Sequence, residues 1–244
     1  MDPDGYFDER VAASYDESSS DMFDPEVLGP TVDVLAELAG NGRALEFAIG
    51  TGRVALALSG RGVEVHGIEL SKAMAAKLAE KPGADAIPVT IGDIATTRVE
   101  GSFSLVYLVF NTIGNLTSQQ AQVACFRNAA AHLEPGGCFL IELLVPDLRR
   151  LPPGETMRVF HASETHWGID EYDVANQGLV SHHFDLVDGR FELLSMPFRY
   201  AWPAELDLMA ETAGLRLRDR WADWTRKPFT SESTAHVSVW GKPA

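Results

Sequence analysis

The chain has 244 residues, 45% of them hydrophobic, and carries a formal net charge of −15 at pH 7. That length and apolar content suit one folded α/β domain with an insertion and exclude a disordered or fibrous chain. The acidic balance repels phosphate backbones and anionic lipid, so neither nucleic acid nor a membrane surface is an expected partner; solubility is the plain use of the charge.

Residues 1–24 are acidic and Ser-rich, with aromatic points at Tyr6, Phe7, Tyr15 and Phe23. They read as a short helical or irregular arm, because a free tail seldom spends four aromatics. Met1 to Glu9 lacks the apolar stretch of a signal peptide, and the longest apolar runs fall far short of a membrane span. The expected location is the cytoplasm. Cys125 and Cys138 sit in apolar context and are not spaced as a metal knuckle or redox pair, so buried thiols in a reducing compartment are expected.

Pro25 opens a helix with Val27, Leu28, Val32, Leu35 and Leu38 on its apolar positions, stopping near Gly40. Arg43 to Ala48 reads as a strand, Gly50-Thr51-Gly52 as a tight turn, and Arg53 to Leu58 as a helix. A second strand, Val63 to Ile68, ends at Glu69, and Ser71 caps a helix through Ala79. A third strand, Ala86 to Ile91, ends in Gly92-Asp93-Ile94; a fourth, Phe103 to Val109, is almost wholly apolar, as in a parallel sheet covered on both faces. Ser118 to Leu133 is a long helix, Pro135-Gly136-Gly137 a turn, and Cys138 to Val145 a fifth strand. This β-α alternation predicts a doubly wound sheet. Residues 155–202 then alternate as antiparallel strands do, with a hairpin turn at Asp188-Gly189. Pro203 to Ala213 is helical, and Leu215 to Trp221 and His236 to Trp240 close the chain as two strands.

The chemistry concentrates at successive strand ends. In Leu45-Glu46-Phe47-Ala48-Ile49-Gly50-Thr51-Gly52-Arg53 a strand feeds a glycine turn that opens a helix, where backbone comes close to a ligand and N–H groups are unpaired. Glu69 ends the second strand, where a carboxylate can accept both ribose hydroxyls of a nucleoside. Asp93 ends the third, placed to read an adenine amino group. Ligands of open α/β sheets bind at this carboxyl edge. Gly50-Thr51-Gly52-Arg53-Val54-Ala55 also fits the looser dinucleotide fingerprint, so an NAD(P)-dependent oxidoreductase is the alternative. Glu46, which can meet a cationic methionyl group, Asp93, and the C-terminal strand pair count against it. A noncatalytic nucleoside-binding module is a third reading, and it would lack an acceptor pocket.

The run Glu46 to Arg53, Gly67-Ile68-Glu69-Leu70-Ser71, Gly92-Asp93-Ile94 and Leu133-Glu134-Pro135-Gly136-Gly137 resemble, in order and spacing over residues 40–145, the motifs of class I S-adenosylmethionine-dependent methyltransferases of the small-molecule type. The resemblance implies a Rossmann-like sheet of seven strands with the last antiparallel, carrying an antiparallel insertion. It implies that Gly50 and Gly52 lie beside the methionine moiety, Glu69 on the ribose, Asp93 and Ile94 at the adenine, and Leu70 and Met74 against the nucleoside. Glu46, Ala48, Arg53 and Phe110 complete the expected cofactor shell, although Ala48-Ile49 departs from the small or polar residues of many relatives. Val11-Ala12-Ala13-Ser14-Tyr15-Asp16 resembles family members in which a tyrosine closes over the cofactor, so Tyr15 is expected either there or as a hydrophobic anchor of the arm. The layout is similar to sugar N,N-dimethyltransferases of secondary metabolism.

The expected organisation is an arm over residues 1–24, a cofactor-binding domain over 25–148 and 203–244, and an acceptor-binding insertion over 149–202. Asn111 and Asn115, in the loop after the fourth strand, and Trp202 are candidates for substrate binding. His182, Tyr200 and Glu142 are candidates for catalysis. His182 shares a strand face with Val180, Phe184 and Leu186, and His183 with Ser181 and Asp185, so only one of the two can face a given pocket. The histidines lack a convincing ligand set, so no metal is expected. The expected activity is methyl transfer to an O or N atom of a small molecule, by a monomer or homodimer.

Overall fold

The computed structural model describes residues 6–244; Met1 to Gly5 of the expected arm lies outside the described residues. Helix α1 (Glu9–Ser18) begins where the Asp8 carboxylate accepts a hydrogen bond from Val11 N–H at 2.9 Å. Asp24 does the same for Glu26 N–H at the start of α2 (Pro25–Ala39), which ends at Gly40 with φ +57°. Strand β1 (Ala44–Phe47) follows with all four residues buried. It is succeeded by α3 (Arg53–Ser59), β2 (Val65–Glu69), α4 (Lys72–Ala79), β3 (Val89–Ile91) and β4 (Phe103–Leu108). Ser71 and Ser118 cap α4 and α5 (Gln119–His132) by accepting from Met74 and Ala121 N–H. Next come β5 (Leu133–Leu144), β6 (Met157–Ala162), β7 (His166–Asp173), β8 (Gly178–Val187), β9 (Arg190–Arg199), α6 (Pro203–Thr212), β10 (Arg216–Trp221) and β11 (Ala235–Gly241).

Seven strands form one sheet in the order β3-β2-β1-β4-β5-β11-β10. The first five run parallel; β11 slots between β5 and β10, antiparallel to both. Strand order therefore reverses between β1 and β4, which opens a crevice at their carboxyl ends. One face packs α5 and α6 onto the sheet through Phe126, Phe139 and Trp240, with neighbouring ring centroids 5.1 and 5.3 Å apart. The other packs α2, α3 and α4 through Leu35, Leu58 and Leu78. Each such buried side chain contributes about 2 kcal/mol. Both cysteines are buried, and burial pushes their thiols up, Cys138 to about 11.

The remaining four strands form a separate antiparallel meander, β6-β7-β8-β9, within the insertion. Its last hairpin turns at Asp188-Gly189, both with positive φ, as Val187 pairs with Arg190. Two elements differ from the sequence-based expectation. Residues 84–86 make a 3-10 turn and β3 begins only at Val89, because Pro88 has no N–H for the ladder. The Pro135-Gly136-Gly137 turn is instead a bulged lead-in to β5: Leu133 pairs with Phe103 before a register shift, and a Cβ on Gly137 would lie 2.9 Å from the Ser104 carbonyl oxygen. Among the described residues, no helix is long and apolar enough to cross a membrane.

His236 on β11 is fully buried, its Nδ1 2.8 Å from Ser238 Oγ, while Nε2 has no partner among the described residues. Burial, reinforced by Arg220, depresses its pKa to about 4. The unfolded chain therefore binds a proton that the native state refuses once the pH falls below the ordinary 6.5. Stability from this group is lost as pH falls from about 6.5 to about 4, by up to about 3 kcal/mol. Denaturant unfolding across that range should show the gap between wild type and His236→Asn narrowing toward acid; a constant gap would refute the assignment.

Candidate active site

The glycine turn after β1 is built from left-handed backbone. Ala48, Gly50 and Gly52 have φ of +54°, +58° and +82°. Gly52 is required twice over, since a Cβ there would also meet Leu78 Cδ1 at 2.2 Å. Glu69, at the end of β2, accepts from Gly50 N–H and Ser71 N–H, both at 2.8 Å, one on each carboxylate oxygen. Met74 is buried beneath Gly50, whereas Leu70 beside Glu69 is 49% exposed. At the end of β3, Asp93 is exposed and accepts from Ala95 N–H at 2.7 Å, with Ile94 buried behind it. Flat apolar surface at Leu70, carboxylates at two strand ends and a side-chain-free turn suit a nucleoside joined to a small charged group.

Below this edge, Tyr107 on β4 donates to Glu46 on β1 at 2.8 Å; the two residues are register neighbours and both are buried. Burial pushes the Glu46 carboxyl up to about 8, against Tyr107 and Arg53, which favour its charged form.

The arm lies across the turn. Asp16 accepts from Thr51 Oγ1 at 2.6 Å and pairs with Lys81, which also donates to the Thr51 carbonyl. Ser71 Oγ donates to the Phe7 carbonyl, and Arg53 Nη1 to that of Met22. Tyr15 packs edge-on to Phe7 within electrostatic reach of Arg53 and Glu69, and burial raises its phenol pKa.

The turn after β4 is strained in the same sense: Phe110 and Asn111 have φ of +58° and +62°. Glu142 on β5 holds it, accepting from Phe110 N–H at 2.9 Å on one oxygen and from Trp224 Nε1 at 2.8 Å on the other. The Asn111 amide oxygen in turn accepts from Leu144 N–H at 2.7 Å. This turn roofs a cavity of about 660 Å³ between the carboxyl edge and the insertion. Phe110, Leu143, Phe160 and Phe198 are among its apolar walls; Arg158, Asp170, Ser181 and His183 are among its polar ones. Arg158, Asp170 and Ser181 stand side by side on β6, β7 and β8. Ser181 Oγ lies 3.3 Å from His183 Nε2. Burial, with His166 nearby, lowers the His183 pKa, and burial raises that of Asp170. The insertion is anchored by buried Arg199 at the end of β9, which donates to Gln122 on α5 at 2.6 Å and to Glu205 on α6 at 2.7 Å.

The structure thus gathers Tyr15, Gly50, Gly52, Arg53, Glu69, Leu70, Met74, Asp93 and Ile94 at one edge, and brings Phe110, Asn111 and Tyr200 to the cavity wall. Other expected positions shift. His182 turns away from the cavity to Ser195 Oγ at 2.8 Å and Glu171; His183 takes the cavity face. Glu142 does not line the cavity, since both its oxygens are spent on the backbone and Trp224. Trp202 packs edge-on to Tyr200 outside the lining, and Asn115 is exposed at the end of a 3-10 turn. Arg149, Arg150 and Arg158 were not singled out from sequence, although all three lie in the insertion expected to carry the acceptor site. Among the described residues, no group of three or more His, Cys, Asp or Glu is arranged to hold a metal.

Residues 44–137 match a family model described as a methyltransferase domain. The chain is 38% identical to the CcbJ methyltransferase from Streptomyces caelestis, with both chains fully covered at a TM-score of 0.87. It is 25% identical to the cypemycin N-terminal methyltransferase of a Streptomyces species, over 92% of this chain and 96% of that protein. S-adenosylmethionine-bound CalS10, an amino pentose methyltransferase from Micromonospora echinaspora, shares the fold at 18% identity, covering 89% of this chain and 90% of that one with a TM-score of 0.65.

Glu142→Ala removes the acceptor of two donors and leaves the left-handed turn unsupported. It should cost about 2 kcal/mol of stability and speed amide exchange at Phe110 and Asn111 while leaving β1 and β2 unchanged. Exchange at wild-type rates in that turn would show that Glu142 does not hold it.

Proposed function

Because the chain belongs to the class I S-adenosylmethionine-dependent methyltransferases, we propose that it methylates the nitrogen of a small-molecule amine, held in the cavity beneath the insertion, as a step of secondary metabolism. The observation that carries this reading is the cavity itself. Its volume of about 660 Å³ is that of a small-molecule site, and Phe110 and Asn111 connect it to the cofactor edge. Relatives named for N-methylation support nitrogen as the acceptor: the cypemycin enzyme acts at an N-terminus, and a fold neighbour from Streptoalloteichus is a sugar N-methyltransferase.

In this reading Gly50, Gly52, Glu69, Leu70, Met74, Asp93 and Ile94 hold the cofactor, with Glu46 toward its cationic end. Bound there, S-adenosylmethionine supplies a methyl group already activated by a sulfonium. The protein is then left with alignment and exclusion of water, and no nucleophilic residue is required. Tyr15 and the arm cover the cofactor edge. Tyr200 and Tyr172, whose ring centroids lie 6.1 Å apart, shape the acceptor chamber. His183, whose pKa burial lowers, takes the proton an ammonium acceptor must lose. The cavity speaks against a mere nucleoside-binding module, and the family disposes of the nicotinamide reading.

Incubation of the full chain with S-adenosylmethionine and matched amine and alcohol acceptors, followed by mass spectrometry, should yield methylated amines only. Alcohol methylation without amine methylation would overturn the nitrogen assignment. In calorimetric titration, Glu69→Ala should bind S-adenosylhomocysteine at least about tenfold more weakly, about 1.4 kcal/mol; undiminished affinity would remove Glu69 from the site.

Glu46 yields a second expectation. Its carboxyl is protonated at pH 7 in the free protein, and a cation arriving beside it favours the charged form. Binding of S-adenosylhomocysteine should therefore release a proton, read as a dependence of binding heat on buffer ionisation enthalpy that disappears in Glu46→Gln. Buffer-independent heat in the wild type would contradict it.

A further inference from the structure

We propose that the methyl acceptor carries an oxyanion, a carboxylate or a phosphate, and that Arg158, flanked by Arg149 and Arg150, forms its docking site. The proposal rests on reading the cavity as the acceptor chamber. Four guanidinium groups, those of Arg149, Arg150, Arg158 and Arg199, line that cavity against two carboxylates, Asp147 and Asp170; Arg199 is paired with Glu205 on α6, which leaves three. A single oxygen of Asp147 accepts from Arg158 Nη1 at 2.9 Å and is ion-paired with Arg150 Nε at 3.1 Å, so it neutralises one positive charge at most. Asp170, the register neighbour of Arg158, is pushed toward its neutral form by burial.

Donor count points the same way. A guanidinium has five N–H donors in a planar fork. Arg158 gives one to Asp147 and Arg149 one to the Ser231 carbonyl at 2.8 Å, while Arg150 is ion-paired with the same Asp147 oxygen. Among the described residues the other donors have no hydrogen-bond partner, which leaves forked edges suited to bidentate binding of an oxyanion. Asp147 fixes two of these forks rather than consuming them. Arg158 is the inner member, with its side chain 25% exposed, while Arg150 stands at 60% on the rim.

Context makes solubility a poor explanation. The chain has 20 Lys and Arg against 35 Asp and Glu, yet three arginines fall within residues 149–158 on one cavity flank. An anion approaching so acidic a protein is repelled at long range, so its binding has to be supplied locally by such a cluster. With an amine on the methylated end, the acceptor is zwitterionic: an amino acid derivative or a phosphorylated amine.

The test titrates the full chain, saturated with S-adenosylhomocysteine, with 3-phenylpropionate, 3-phenylpropyl phosphate and neutral 3-phenylpropionamide. At least one anion should bind about tenfold or more tighter than the amide, and the tighter of the two assigns the oxyanion. Arg158→Gln should abolish that preference with S-adenosylhomocysteine affinity unchanged, Arg150→Gln should weaken it, and the exposed Arg216→Gln on β10 should leave it intact. No anion preference in the wild type, including no binding of any probe, or a preference surviving both cavity substitutions, overturns the proposal. If S-adenosylhomocysteine itself fails to bind, the methyltransferase reading falls and takes this one with it; if it binds and the anion preference is missing, this one falls alone.

Discussion

The functional edge depends on the chain leaving two neighbouring parallel strands through left-handed backbone, each turn held by a carboxylate from the strand beside it. After β1 the turn runs through Ala48, Gly50 and Gly52, and Glu69 of β2 accepts from Gly50 N–H. After β4 it runs through Phe110 and Asn111, and Glu142 of β5 accepts from Phe110 N–H. Left-handed backbone at a non-glycine residue costs about 1 kcal/mol or more. It persists here because a charge-assisted hydrogen bond from a rigid sheet offsets it. β1 and β4 flank the point where strand order reverses, so the two turns diverge and leave the crevice between them.

Two surfaces follow from those turns. The first, without side chains at Gly50 and Gly52, lies on the carboxyl edge beside Glu69 and Asp93; the second raises Phe110 and Asn111 over the cavity. The insertion completes the chamber as an antiparallel sheet whose last strand is tied into the main domain at Arg199, Gln122 and Glu205. Burial alone would raise the Glu205 pKa, but the hydrogen bonds from Arg199, Gln177 and Gln119 outweigh it and hold the carboxyl low. The network is thus a satisfied one, the condition under which buried charge is tolerable.

The convergence of Gly50, Glu69 and Asp93 on one edge was legible in the sequence because chain order dictates it. In a doubly wound sheet every strand ends on the same edge, so Gly50, Glu69 and Asp93 had to converge wherever the strand boundaries fell to within a residue or two. The insertion lacks that protection. Facing alternates residue by residue in a strand, and the apolar set Val180, Phe184 and Leu186 suggests that face as the inner one, with His182 on it. The opposite holds: Leu179, Ser181 and His183 line the cavity, while Val159, Trp167 and Leu193 on the other side stay 49–58% exposed. Both faces of this sheet carry apolar residues, and the cavity face mixes Leu179 and Phe198 with Ser181 and His183, so no local signal announces which face is the inner one. Glu142 was misread for a different reason. Its partners, Phe110 N–H and Trp224, come from distant loops whose approach no spacing encodes. The alignment of Arg158, Asp170 and Ser181 depends on two registers, one of them shifted by an irregularity between Val159 and His161.

The arm is attached in a way that differs from every other element. The sheet helices are held by large apolar side chains, whereas α1 buries only Ala12. What fastens it is polar: Asp16 to Thr51 and Lys81, Phe7 to Ser71, Met22 to Arg53, and an exposed ion pair of Arg10 with Glu192 on the insertion at 3.2 Å. The exposed pair contributes little, and each neutral hydrogen bond about 1 kcal/mol net. An element held by a few such bonds over a ligand edge has a low local opening free energy. Its contacts are made to Thr51, Arg53 and Ser71, which adjoin Gly50, Gly52 and Glu69. Any group that contacted those residues would act on the arm's own anchors, so the arm and this edge of the sheet are linked through the same few atoms rather than through the core.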